Sequence, residues 1–159
     1  MDDEPLEDFA AALNEKRAGF NQMIGLRFVR ATRKEVVAEL TVEPSLHQPY
    51  GLVHGGVYAS MAETVASVGA ALHAMAEGRN TVGLDNSTSF LRATREGTLT
   101  ARATPLATGR RTHVWEVDIR DDQARLVAKS RVRLLCIEGD APLAGERVTM
   151  KQGELKPQG

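Results

Sequence analysis

Val57, Met61, Val65, Val68, Leu72 and Met75 fall at offsets 0, 4, 8, 11, 15 and 18, which is the spacing of one face of a single long α-helix. The other face is built from small residues: Ala59, Ser60, Ala62, Ala66, Ser67, Ala70 and Ala74. Between Gly51 and Ala76 the only formally charged residue is Glu63. A solvent-facing helix surface carries several Lys or Glu residues, so this helix is expected to be central and packed on both sides.

Around it the period changes to two. Leu26–Arg30 and Glu35–Val42 read as a hairpin joined at Thr32-Arg33-Lys34 and closed by Pro44. Thr81–Leu91, Gly97–Thr108, Arg111–Arg120 and Leu126–Ile137 read as strands of an antiparallel meander, with turn signals at Arg95-Glu96-Gly97, Thr108-Gly109-Arg110 and Asp121-Asp122. This pattern predicts an α+β fold in which a curved antiparallel sheet wraps one helix. One sheet covers one helix face, so the small-residue face is expected to meet a second copy of the chain, because closed two-fold homodimers are the commonest oligomers.

A length of 159 residues fits one domain. At the amino end, Leu6, Phe9, Ala10, Leu13 and Arg17 keep a helical spacing, with Pro5 suited to the first turn and Gly19 to the C-terminal cap. They predict a lid-like helical extension over residues 1–20, ahead of a domain over 21–138. Residues 139–159 contain four Gly and two Pro without periodicity and predict a flexible tail.

The charge balance excludes several function classes. A formal net charge of −1 provides no field for nucleic acid or an anionic membrane, and seven aromatic residues are too few for a base-stacking surface. No window approaches the ~18 apolar residues of a membrane span, and the acidic start Met1-Asp2-Asp3-Glu4 lacks the positive charge of a signal peptide. The lone Cys136 sits in an apolar run and reads as a buried, unreactive thiol. A cytoplasmic protein is expected.

Glu63, set among Ala59, Ala62, Ala66 and Ser67, is the first candidate for chemistry: a partly desolvated carboxylate serves as nucleophile or general base. The alternative is a carboxylate that reaches solvent past small neighbours. Upstream, Gln48-Pro49-Tyr50-Gly51-Leu52-Val53-His54-Gly55-Gly56 leads straight into the helix, so backbone N–H groups at Gly55 and Gly56 point at an incoming oxygen that gains negative charge. The alternative is a turn that uses glycine only for its flexibility. His54 is placed to donate to a carbonyl or to cap the loop, and Ser67, one turn beyond Glu63, to orient water. Arg110 and Arg111 follow Gly109 in a strand-connecting turn, a candidate phosphate anchor to which Arg92 and Arg95 would add. His47, His73 and His113 lack paired metal-ligand spacing, and no His-Glu-x-x-His, Cys pair, Gly-x-Ser-x-Gly or Gly-x-Gly-x-x-Gly is present.

These residues resemble the hotdog-fold acyl-CoA thioesterases of the 4-hydroxybenzoyl-CoA and phenylacetate-degradation type, including the 1,4-dihydroxy-2-naphthoyl-CoA thioesterases. The likeness runs from Gly25 to Ile137. It is carried by His54-Gly55-Gly56 with Glu63 nine residues after the His, by Gln48-Pro49-Tyr50-Gly51 and Val82-Gly83-Leu84, and by Arg95-Glu96-Gly97 and Val114-Trp115. The resemblance implies hydrolysis of an aryl- or medium/long-chain acyl-CoA without metal or cofactor. It makes Glu63 the nucleophile or general base and Gly55 N–H the group that polarises the thioester carbonyl. Gln48 and His54 would hold the thioester region, and Ser67 would place water. CoA contacts would fall on Val82, Ser89, Phe90, Leu91, Arg92, Leu106, Ala107, Thr108, Gly109, Arg110 and Arg111. It also implies a homodimer or a dimer of dimers, a homotetramer. A hydratase of the same fold would carry an Asp and His pair at the helix entry, and a non-catalytic acyl-CoA sensor would carry a DNA-binding segment or lack the acid. The chain shows none of these.

Overall fold

The computed structural model describes residues 6–150 and 153–158, so the expected first helical turn at Pro5 lies outside the described residues. Six strands, β1 (Arg27–Ala31), β2 (Val36–Thr41), β3 (Arg79–Phe90), β4 (Thr98–Thr108), β5 (Thr112–Arg120) and β6 (Leu126–Glu138), form one antiparallel sheet. Alternate residues turn inward, so Val36, Ala38 and Leu40 of β2, Leu99, Ala101 and Ala103 of β4, Trp115, Val117 and Ile119 of β5, and Val132 and Leu134 of β6 are buried. They close on one long helix, α3 (Gly55–Met75), preceded by two short ones, α1 (Ala10–Glu15) and α2 (Gly19–Met23). This is an α+β hotdog fold. No helix among the described residues is long and apolar enough to cross a membrane.

The strand order is β1-β2-β4-β5-β6-β3, which corrects the expected four-strand meander. β4, β5 and β6 do follow one another, but β3 pairs with β6 at the far edge. The link from Leu91 to Gly97 must span about three strand spacings, or ~14 Å, and seven residues reach ~23 Å at ~3.3 Å each. The polar run Asp85-Asn86-Ser87-Thr88-Ser89 of β3 suits an edge and not a sheet centre.

The small-residue face of α3 is a second correction. Ala62, Ala66 and Ala70 are fully buried and Ala74 is 1% exposed within the single chain. The curved sheet touches α3 through β2, β3, β4, β5 and β6, so it covers more than one helix face. Small residues are there to let helix and sheet approach closely: a side chain at Gly69 would run into the ring of Trp115. Only Ala59, Ser60, Glu63 and Ser67 of the predicted face remain partly exposed.

The amino-terminal segment packs along the β1 edge of the sheet. Helix α1 lies against β1, where Asn14 Nδ2 donates to Phe28 O and Asn14 Oδ1 accepts from Phe28 N, both at 2.8 Å. Asp8 Oδ1 accepts from Ala31 N at 3.0 Å, and Arg17 Nη1 donates to Leu26 O at 2.8 Å. These side chains satisfy the backbone of an edge strand that would otherwise be open to pairing. Gly19 begins α2 and does not cap α1. Within 139–159, a small hairpin of β7 (Pro142–Leu143) and β8 (Glu146–Arg147) stands where no regular structure was expected, and Gln158 N donates to Asp8 O at 3.1 Å. Cys136 is partly and not fully buried, and burial pushes its thiol above the ordinary value.

His113, on β5, is 3% exposed, its Nδ1 has no partner, and the ring of His73 stands edge-on with centroids 5.8 Å apart. Burial holds the His113 pKa below its ordinary value, helped by the nearby charges of His73 and Arg79 and opposed by Glu77. The native state therefore keeps this imidazole neutral while the unfolded chain takes up a proton near pH ~6.5, so the associated stability is complete above that pH and is lost as pH falls toward the depressed native value. The melting temperature is expected to drop between pH 7 and pH 5, and less so in His113→Phe. Equal slopes in the two proteins would remove His113 as the cause.

Candidate active site

The segment from Gln48 to Gly56 is a braced loop. Gln48 N donates to Leu52 O (2.8 Å), Gly51 N to Gln48 O (2.9 Å) and His54 N to Leu46 O (2.9 Å). Gly51 has φ +71°, a left-handed value that favours glycine at this turn. Arg95 Nη1 donates to Tyr50 O at 3.0 Å, and the His47 ring Nε2 lies 2.7 Å from Arg95 O, so the Arg95 side chain is committed to holding the loop. Gln48 Oε1 accepts from Tyr50 N, which leaves the amide nitrogen of Gln48 available.

His54 is the N-cap of α3 and its Nδ1 accepts from Gly56 N at 2.8 Å. With Nδ1 accepting, the neutral ring carries its proton on Nε2, a donor on an exposed side chain. The hydrogen bonds of the loop leave Gly55 N–H uncommitted at the positive end of a 21-residue helix. A Cβ at Gly55 would stand 2.7 Å from the Phe90 ring, so a side chain there would displace that ring.

A cavity of about 340 Å³ opens at this helix start, with Gln48, Gly55, Tyr58, Phe90, Leu91 and Arg92 among its walls. The rings of Tyr58 and Phe90 are 6.0 Å apart. Tyr58 is buried and its hydroxyl is pushed above its ordinary pKa by that burial. Tyr58 and Ala93 were not among the sequence candidates.

Glu63 does not line this cavity; eight residues of helix set it ~12 Å from Gly55 along the axis. It is half-buried. Ser67 Oγ donates to Glu63 Oε1 over a long 3.4 Å, and Asn86 Nδ2 donates to Oε2 at 3.2 Å. Gly83 of β3 lies so close that a Cβ there would run into Oε1. Sequence reasoning missed Asn86, although a polar run within a strand beside a lone carboxylate was the available signal.

The remaining candidates divide between the two ends of the sheet. Ser89, Phe90, Leu91 and Arg92 sit at and just beyond one end of β3, whereas Leu106, Ala107 and Thr108 end β4 and, with Gly109, Arg110 and Arg111 of the β4–β5 turn, lie at the opposite end of the sheet. That turn borders a cavity of about 460 Å³ with Glu77, Arg79 and Glu138. Arg79 donates to Arg110 O and to Glu77. The side chains of Arg110 and Arg111 are exposed and enter no ion pair among the described residues. One chain therefore does not bring Arg92 or Arg95 to Arg110 and Arg111, as the sequence reading had them. Among the described residues no cluster of His, Cys, Asp or Glu forms a metal-ligand set.

The family model of the thioesterase superfamily matches residues 50–128, from the loop before α3 to β6. The chain is 34% identical over 113 residues to 1,4-dihydroxy-2-naphthoyl-CoA hydrolase of Listeria monocytogenes, a match covering 71% of this chain and 91% of that one. It is 40% identical over 137 residues to Rv1847 of Mycobacterium tuberculosis, covering 85% and 97% of the two chains. The solved structure of thioesterase HI1161 from Haemophilus influenzae superposes with a TM-score of 0.76 at 35% identity, over 81% of this chain and 90% of that one. By its sequence, its fold and these likenesses, the chain belongs to the thioesterase superfamily and is a thioester hydrolase.

Proposed function

We propose that the chain hydrolyses an aryl- or medium/long-chain acyl-CoA to the free acid and CoA, with Glu63 as nucleophile or general base. One observation carries this reading: the lone carboxylate of α3 is oriented by Ser67 and Asn86, while Gly55 N–H stands uncommitted at the start of the same helix. Gly55 N–H and the helix dipole polarise the thioester carbonyl and stabilise the oxyanion that forms. Glu63 attacks the carbonyl carbon or takes a proton from the water that does so, and the tetrahedral intermediate expels the CoA thiolate; where Glu63 is the nucleophile, water then cleaves the acyl–Glu63 anhydride to the free acid and restores the carboxylate. His54, through Nε2–H, and the Gln48 amide hold the thioester, and Ser67 places water.

The ~12 Å between Gly55 and Glu63 favours a site shared between two chains. The β1 edge of the sheet is closed by Asp8, Asn14 and Arg17, whereas β3 is an open edge 12 residues long that exposes Leu84 (55%) and Phe90 (59%). Ala59 is the midpoint of Gly55 and Glu63, and its carbonyl accepts from Asn86 Nδ2 at 2.9 Å. A two-fold axis at that level sets Gly55 abreast of Glu63 of the partner subunit. The same axis pairs β3 with its copy, with Val82 opposite Phe90 of the partner subunit. It thus brings the Ser89–Arg92 end of one chain toward the Leu106–Arg111 turn of the other, and a CoA site forms across the pair.

The test is hydrolysis of aryl- and alkyl-CoA esters by the purified protein, compared with Arg110→Ala and Arg111→Ala. Solvated phosphate contacts are weaker than the ~1.5–3 kcal/mol of well-formed charged hydrogen bonds, so each change is expected to raise KM several-fold and leave kcat nearly intact. The same acyl group on a truncated pantetheine thiol should be indifferent to both changes. Equal losses on the two substrates would move the phosphate anchor elsewhere, and no hydrolysis of any CoA ester would overturn the proposed substrate class.

A further inference from the structure

Glu63 is the end of a chain of side-chain hydrogen bonds that runs into the sheet. Asn86 donates both hydrogens of Nδ2, one to Glu63 Oε2 at 3.2 Å and one to Ala59 O at 2.9 Å. Thr88 Oγ1 donates to Asn86 Oδ1 at 2.7 Å. Thr88 Oγ1 and Ser130 Oγ are 2.8 Å apart, and because the single Thr88 proton is committed to Asn86, Ser130 is the donor in that pair. Ser130 is only 2% exposed. The amide cannot reverse without setting Asn86 Oδ1 against a carbonyl and a carboxylate, three acceptors with no proton among them.

We propose that Asn86 is a positioning residue for hydrolysis, held in place by Thr88 and Ser130: it engages Oε2 of Glu63 and leaves Oε1 as the oxygen that acts on the thioester or on water. The inference rests on the role given above to Glu63. Among the described residues Oε1 receives only the long 3.4 Å contact from Ser67, and it faces the bare Cα of Gly83, where the missing side chain leaves it space. A Glu side chain has several rotatable bonds, and a carboxylate free to swing meets its target less often. Misplacement by ~1 Å costs on the order of 10²-fold in rate. A neutral amide fixes the carboxylate without cancelling its charge.

Asn86→Asp keeps the size of the side chain but removes the donor, and Asn86→Ala removes the group. Both are expected to lower kcat ~10–100-fold with KM within about threefold, at unchanged circular dichroism and oligomeric mass. Thr88→Val, which frees the amide to rotate, should lose ~3–10-fold, and Thr88→Ser should restore near-native turnover. Combining Asn86→Ala with Glu63→Ala should cost nothing beyond Glu63→Ala alone, because Asn86 acts through that carboxylate. An Asn86→Asp enzyme within about twofold of native kcat would overturn the proposal, as would a Thr88→Ser loss equal to that of Thr88→Val. A fully active Glu63→Ala enzyme would instead overturn the reading of Glu63 itself, so the two failures are distinguishable.

Discussion

Glu63→Ala is expected to lower kcat by at least about 10²-fold, the usual cost of removing a nucleophile or general base, while leaving the melting temperature within a few degrees of native. The fold should survive because the carboxylate is only half-buried and its two hydrogen bonds are long, at 3.4 and 3.2 Å. Each such bond contributes about 1 kcal/mol or less to stability, and alanine is the best helix former at an internal helix position. Glu63→Gln, which preserves size and removes the charge, should retain substrate binding and accumulate bound acyl-CoA, visible in equilibrium binding or as a trapped complex. Near-native turnover in Glu63→Ala would falsify the assignment of the chemistry to this residue.

The second large effect is expected from the open sheet edge. Leu84→Asp places a charge on β3 where an apolar side chain is 55% exposed in the single chain, so the fold of each chain should persist. The native protein should run at twice the 17.3 kDa chain mass or a multiple of it, and the variant should run as single chains. Activity should fall at least ~10²-fold in the variant, because a site assembled from two chains loses half of its groups on dissociation. Light scattering and turnover measured on the same sample at micromolar concentration check this. A native protein that is active as a single chain, or a Leu84→Asp protein that is still paired, would place the interface elsewhere.

The long helix, the strand segments and the helix-entry loop were legible in the sequence because each is set by local spacing. A period of 3.6 for Val57, Met61, Val65 and Leu72, a period of two in β2, β4, β5 and β6, and glycines before a helix start are short-range properties. Glu63 was legible for a related reason: one charge within an uncharged stretch needs no partner to be noticed. The strand boundaries agree to within two residues. The Arg79–Phe90 strand was found, but its place in the sheet was not, because pairing with β6 depends on a link that crosses the sheet.

What the tertiary structure alone decided is which groups meet across distance. Asn86 reaches Glu63 from 23 residues away and Thr88 reaches Ser130 from 42, contacts that no local period encodes. The buried alanines of α3 were visible as small, but whether sheet or second chain covers them depends on how far the sheet curves, a property of six paired strands together. Likewise Asp8, Asn14 and Arg17 are ordinary polar residues in sequence, and only the position of β1 at a sheet edge turns them into its covering. The sequence by itself determined the elements and the lone carboxylate of α3, since these follow from spacing and charge along the chain. The strand order, the open β3 edge and the orientation of that carboxylate were left to long-range packing, which is where backbone groups distant in sequence find their partners.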